Sequence, residues 1–265
     1  MISTVALYLG VLLMAPSNGE IRVEPGKQLP QSFTVRLDAK PAARDATIRY
    51  MLFAPKDYKA DGKKWPLMLF LHGLGECSND DLTRVKIHGP AHFVDSRPDF
   101  PFVVITPQLP PPPGYKEGVA YTSEQIIALA HDAWKPEPLV QLVDHVVAKM
   151  NIDPDRVYVT GLSMGGYGTY RLVAAHPERF AAIVAICGGG ESEMAGPLSR
   201  VPIWAFHGAK DTVVPLAIGQ KMVDDIKQAG GDVKFTVYPD VGHDSWKRAY
   251  ANQEIYDWLL AHKRK

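Results

Sequence analysis

Cysteine is scarce in this chain. Cys77 and Cys187 are the only two in 265 residues, too few for a disulfide framework, although an oxidising compartment would let them pair with each other. Neither sign of charge is in excess. Lys plus Arg and Asp plus Glu both number 29, so no overall field favours nucleic acid, an anionic membrane or a strongly charged polymer, and the ligand indicated is small or locally recognised. The apolar stretch from Val5 to Met14 is too short to cross a bilayer as a helix. It suits the core of a signal peptide, with small Ser17 and Gly19 offering a cleavage site before Glu20. This leader has no Lys or Arg, which leaves the amino terminus as its positive charge, and no cysteine follows it to carry a lipid anchor. The expectation is a secreted or periplasmic protein in which residues 1–19 are removed and residues 20–265 form one catalytic domain, without room for a second. Stable membrane insertion is not expected, and oligomeric state is not readable. Apolar residues, by contrast, make up 46% and are spread along the chain, enough to fill a core without metal or disulfide staples.

The apolar pattern changes along the chain. Segments 32–38 and 47–53 alternate apolar with polar or small residues, as half-buried antiparallel strands do, and predict a hairpin at a sheet edge. From Pro66 onward come short continuous apolar runs at 67–71, 102–105, 157–160, 183–186 and 203–206, the pattern of parallel strands covered on both faces. Helical periodicity at 139–150, 168–175 and 218–229 lies between several of them, and a strand at 233–238 and a helix at 245–262 finish the chain. The fold class predicted is α/β, a mostly parallel sheet with an antiparallel N-terminal hairpin and helices on both faces. Residues 107–138, with four consecutive prolines at 110–113, read as a long loop directly after a strand end. Because α/β sheets bind ligands beyond the carboxyl ends of their strands, this segment is a candidate pocket wall.

Chemistry concentrates at strand ends. Gly161-Leu-Ser163-Met-Gly165 follows the 157–160 strand and precedes a helix beginning near Tyr167, the strand-turn-helix setting in which G-x-S-x-G exposes a nucleophile. A serine on so tight a turn needs neighbours without side chains, which Gly161 and Gly165 supply. Serine is a poor nucleophile at neutral pH and needs a base. His243, in the loop after the 233–238 strand, is the candidate; His176 ends the helix after Ser163, and His88 and His92 flank Gly89-Pro90 in poor helical geometry for a metal pair, so no zinc site is expected. The base needs a carboxylate to orient it. Asp211, past the 203–206 strand, precedes the histidine in the required chain order, with Asp240 and Asp244 as rivals close to His243 in sequence. Oxyanion donors are expected from the amides of Met164, next after the serine, and Leu74, in the His72-Gly-Leu-Gly turn after an early strand. Trp134 and Trp246 are candidate aromatic walls for an acyl chain, an aryl acid or a sugar.

The motifs Leu71-His-Gly-Leu-Gly-Glu76, Asp155 through Gly168, Cys187-Gly-Gly-Gly190, His207-Gly-Ala-Lys-Asp211 and Gly242-His-Asp-Ser-Trp246 together resemble the carboxylesterase or predicted-peptidase branch of the α/β-hydrolases, related to polyhydroxybutyrate-depolymerase-like and feruloyl-esterase-like enzymes. The resemblance covers nearly the whole chain after the leader. It implies an ester hydrolase without a cofactor, with Ser163, Asp211 and His243 at the triad positions, but it is not specific for a substrate; the function expected is hydrolysis of a small or sugar-linked ester through an acyl-enzyme. A peptidase using the same triad is the alternative, and a binding protein on an inactive hydrolase fold is a third reading. The tetraproline departs from the branch's pattern.

Overall fold

The structure, a computed structural model, describes residues 20–37, 44–119, 121–131 and 133–264. The proposed leader therefore lies outside the described residues. Eight strands, β1 (Gln28–Leu37), β2 (Arg44–Phe53), β3 (Trp65–Leu71), β4 (Val103–Gln108), β5 (Ile152–Leu162), β6 (Ala182–Ile186), β7 (Ile203–Gly208) and β8 (Val233–Tyr238), form one sheet in the order β1-β2-β4-β3-β5-β6-β7-β8. β1 pairs antiparallel with β2, and β2 antiparallel with β4; every other pairing is parallel. The edge hairpin and the parallel centre thus match the alternating and continuous apolar patterns that predict them.

Both faces of the sheet are covered, which is why its central strands carry no polar alternation. Along β3, Leu67, Leu69 and Leu71 join one core cluster, whereas Met68 and Phe70 join the other. The helices are α1 (Pro90–Phe93), α2 (Ser123–His131), α3 (Pro136–Lys149), α4 (Met164–Ala175), α5 (Ala195–Leu198), α6 (Leu216–Gln228), α7 (Trp246–Ala251) and α8 (Glu254–Leu260). Side chains of α3, α4 and α6, such as Leu142, Leu172 and Met222, fill the first cluster; Ala91 of α1, Tyr250 of α7 and Leu259 of α8 fill the second. Among the described residues no helix is long and apolar enough to cross a membrane.

Four expectations need correction. The final helix is two, α7 and α8, because Asn252 takes an extended ψ of 113° and its side chain accepts from the Glu254 amide, starting a new helix. The 107–138 segment is not all loop: it contains α2 and the start of α3, whose first residue, Pro136, has its φ preset for a helix N-terminus. The helix after Ser163 begins at Met164 rather than near Tyr167. Glycines at 165, 166 and 168 weaken the helical signal in sequence, but tertiary contact demands at least the first: a Cβ on Gly165 would stand 1.9 Å from the Leu71 carbonyl oxygen. Finally, Cys77 and Cys187 are both free and buried. Cys77 belongs to one core cluster and Cys187 to the other, so the sheet separates them.

Candidate active site

The chain makes β3, crosses to β4 on one side of it, then returns to place β5 on the other. The crevice outside the carboxyl ends of β3 and β5 is therefore the switch point of the sheet, where α/β proteins hold their ligands. Ser163 stands there, between β5 and α4, with φ 52° and ψ −117°. A positive φ at a residue with a side chain is strained, and the strain is held by packing: the Ser163 amide donates to the Ile186 carbonyl at 2.9 Å, and a Cβ on Gly161 would lie 2.2 Å from the Gly165 carbonyl oxygen.

The loops after β7 and β8 come together over the same edge. Gly208 makes the approach close, since a Cβ there would sit 2.1 Å from the Gly242 carbonyl oxygen, and the Lys210 amide donates to the Val241 carbonyl at 3.0 Å. This registers Asp211 against His243. His243 Nε2 lies 2.9 Å from Ser163 Oγ, and His243 Nδ1 lies 2.8 Å from Asp211 Oδ2. The other Asp211 oxygen, Oδ1, accepts from the Val213 and Val214 amides at 2.9 Å each. His207 Nε2, 2.8 Å from the Val214 carbonyl oxygen, stands 3.4 Å from Asp211 Oδ2. Burial alone would raise the pKa of the Asp211 carboxyl, but His207, His243 and the Val214 amide together hold it well below the usual carboxylate range. The rivals face elsewhere: Asp240 pairs with Arg248, and Asp244 with Lys247.

Met164 is the first residue of α4, and Leu74 the first of a short 3-10 turn (Leu74–Glu76), so neither amide has an acceptor within its own helix. The Leu74 turn is clamped from several directions. Glu76 Oε2 accepts from the Gly73 amide at 2.7 Å, Arg84 donates to the Gly75 carbonyl at 2.6 Å, and Gln108 Nε2 donates to the Glu76 carbonyl at 3.2 Å. His72 beneath it is fully buried; desolvation pushes its pKa down to about 4, and its Nε2 accepts from the Leu109 amide.

A cleft of about 270 Å³ opens at Ser163, lined among others by Leu74, Glu76, His88, Ile126, Val213, His243 and Trp246. Trp246 is thus a wall of the cleft, its ring edge-on to His243 with centroids 5.3 Å apart. Trp134 is not. It is 1% exposed, packed edge-on against His72 at 4.9 Å, and its Nε1 donates to the His72 carbonyl at 3.3 Å. The wall that the 107–138 segment supplies is Ile126 of α2, a residue without any motif to mark it. Sequence reasoning assigned no role to His207 or Glu76, and it weighed His88 only as a base or metal ligand. The first two lie inside quoted motifs, and a Glu directly after an apolar strand and turn was the available sign of burial. As for metals, Cys187 Sγ, a ligand atom of Asp211 and one of His243 lie within 4.8 Å of one another. Asp211 and His243 are engaged with each other, however, and burial pushes the Cys187 thiol far up, which disfavours the thiolate a metal needs.

A serine on a strained turn after β5, a carboxylate after β7 and a histidine after β8, on a sheet of this strand order, define the α/β-hydrolases, and the chain belongs to that superfamily. Within it, residues 132–261 match the phospholipase/carboxylesterase family. The chain is 28% identical over 182 residues to a probable feruloyl esterase C of Aspergillus terreus, covering 69% of this chain and 62% of that one. It is 24% identical over 198 residues to carboxylesterase SOBER1 of Arabidopsis thaliana, covering 66% of this chain and 82% of that one. The crystal structure of a thermostable esterase superposes with a TM-score of 0.65 at 31% identity, over 88% of this chain and 63% of that one. The similarity thus spans less than two thirds of the feruloyl esterase and of the thermostable esterase.

Proposed function

We propose that the protein is a serine carboxylic-ester hydrolase that works through an acyl-enzyme on a small or sugar-linked ester. The observation that carries this reading is the unbroken row Ser163 Oγ, His243 Nε2, His243 Nδ1, Asp211 Oδ2, with separations of 2.9 and 2.8 Å at its two hydrogen bonds. His243 takes the hydroxyl proton as Ser163 Oγ attacks the ester carbonyl carbon. The carbonyl π electrons move onto oxygen, where the Leu74 and Met164 amides receive the charge. Asp211, kept ionised by its own donors, stabilises the imidazolium and fixes its tautomer. Collapse of the intermediate expels the alcohol, which takes its proton from His243. Water then gives a proton to His243 and attacks the acyl-serine, and the second collapse returns the proton to Ser163 and releases the carboxylic acid.

The esterases among the relatives support ester over amide as the scissile bond. Hydrolysis of 4-nitrophenyl acetate, with a fluorophosphonate probe found on Ser163 by mass spectrometry, is the expected result; labelling at another serine refutes the assignment. Faster cleavage of peptide amides than of matched esters would favour the peptidase reading. Export is part of the same proposal, on the strength of the 5–14 apolar leader: a mature chain starting near Glu20 supports it, and cytoplasmic chain retaining Met1 opposes it.

A further inference from the structure

The cleft holds polar side chains that acyl transfer does not use. Glu76 is 5% exposed yet lines the same cavity as Ser163. Its Oε2 is occupied by the Gly73 amide, but Oε1 has no hydrogen-bond partner among the described residues and faces His88 Nε2 across 3.8 Å. That is too far for a direct hydrogen bond and a gap that one hydroxyl oxygen closes, donating to the carboxylate and accepting from the imidazole. His88 lies against Trp246, ring centroids 5.2 Å apart, and Trp246 lies against His243. The wall of the cleft therefore runs Glu76, His88, Trp246, His243, Ser163, a hydroxyl-binding pair beside a flat apolar ring beside the nucleophile.

We propose that Glu76 and His88, with Trp246 as a platform, form a subsite for the hydroxyl groups of a sugar whose ester is presented to Ser163; this rests on the reading of Ser163 as an ester-cleaving nucleophile. An alkyl chain in this position would bury Glu76 and His88 without partners, which costs more than its apolar contact with Trp246 returns. Above about pH 7, where Glu76 is ionised, an anionic group would meet its carboxylate. A pyranose satisfies both halves of the wall, since one face of the ring is C–H and its edge is hydroxyl. A site built to hydrogen-bond a hydroxyl discriminates strongly against an analogue that lacks it.

The test compares kcat/KM for a mono-O-acetyl methyl xyloside with kcat/KM for propyl acetate, in the purified wild type, Glu76→Gln and His88→Leu. Propyl acetate reports on the catalytic row and on folding, so only the ratio reads the subsite. The wild type is expected to prefer the xyloside, and the ratio to fall about tenfold in each variant, mainly through KM. His88 lies outside the Gly73 turn, so its variant keeps the result independent of damage to the oxyanion loop. If the wild type cleaves both esters and the ratio stays within twofold in both variants, the subsite is overturned while the hydrolase reading stands. If neither ester is cleaved and the fluorophosphonate leaves Ser163 unlabelled, the hydrolase reading fails and the subsite fails with it.

Discussion

Glu76 also makes a thermodynamic signature that can be read without any substrate. Burial pushes its carboxyl up from the ordinary 4.5 to about 7, against the Gly73 amide and the Arg84 charge, which pull it down. Between these two values the native state keeps a proton that the unfolded chain has released, so raising the pH draws the equilibrium toward the unfolded chain. The contribution of Glu76 is fully present below pH 4.5 and is lost by the time the pH has passed about 7. At about 1.36 kcal/mol per unit, a shift of this size amounts to about 3 kcal/mol. Glutamine has the same shape and retains an acceptor for the Gly73 amide but does not titrate, so Glu76→Gln should lose the slope. His72 acts in the opposite sense: its pKa falls from 6.5 to about 4, so it adds stability as the pH rises across that window in both proteins alike. The quantity to plot is therefore the difference between wild type and variant, from urea unfolding at half-unit steps between pH 4.5 and 8.5 with the slope m checked for constancy. The variant should gain on the wild type by about 3 kcal/mol across the range. A difference that stays flat would refute the burial argument, and one that falls with pH would mean Glu76 is stabilised as a carboxylate.

Three further outcomes follow from the site and its surroundings. Ser163→Ala should lower ester turnover by a factor on the order of 10⁴ or more while leaving the urea midpoint nearly unchanged, and a residual rate within tenfold of wild type would remove Ser163 from the mechanism. His243→Ala should be about as damaging, and Asp211→Asn comparable or milder because the serine–histidine contact survives; steady-state kinetics of Asp211→Asn near the wild-type rate would move the acid role away from Asp211. Trp134→Ala should cost about 3–5 kcal/mol in unfolding free energy with ester preferences unchanged, as for a filled core position, and altered preference ratios with little loss of stability would return it to the pocket.

The local chemistry of this protein was legible in the amino-acid order. G-x-S-x-G is a contiguous turn, and its two glycines are required by backbone contacts within a few residues of the serine or with the strand beside it. The period-2 edge strands and the continuous central runs each report on how many faces of a strand are covered, a property that every residue of the strand shares. Asp211 and His243 were identifiable because each follows a strand whose carboxyl end had to meet the same edge, in an order set by the chain. What sequence could not supply depends on segments far apart coming into contact. Trp134 and Ile126 lie in one proline-interrupted segment, and only the packing of α2 against the rest decides that the isoleucine lines the cleft while the indole turns under His72. The same holds for Cys77 and Cys187, which the sheet keeps apart, and for Glu76, His88 and Trp246. Those three come from three separate stretches of chain, and no local pattern records that they share a wall. Periodicity and turn chemistry act within a few residues and determined the elements and the candidate nucleophile; the wall of the cleft, made by side chains from separate segments, was decided by tertiary packing alone.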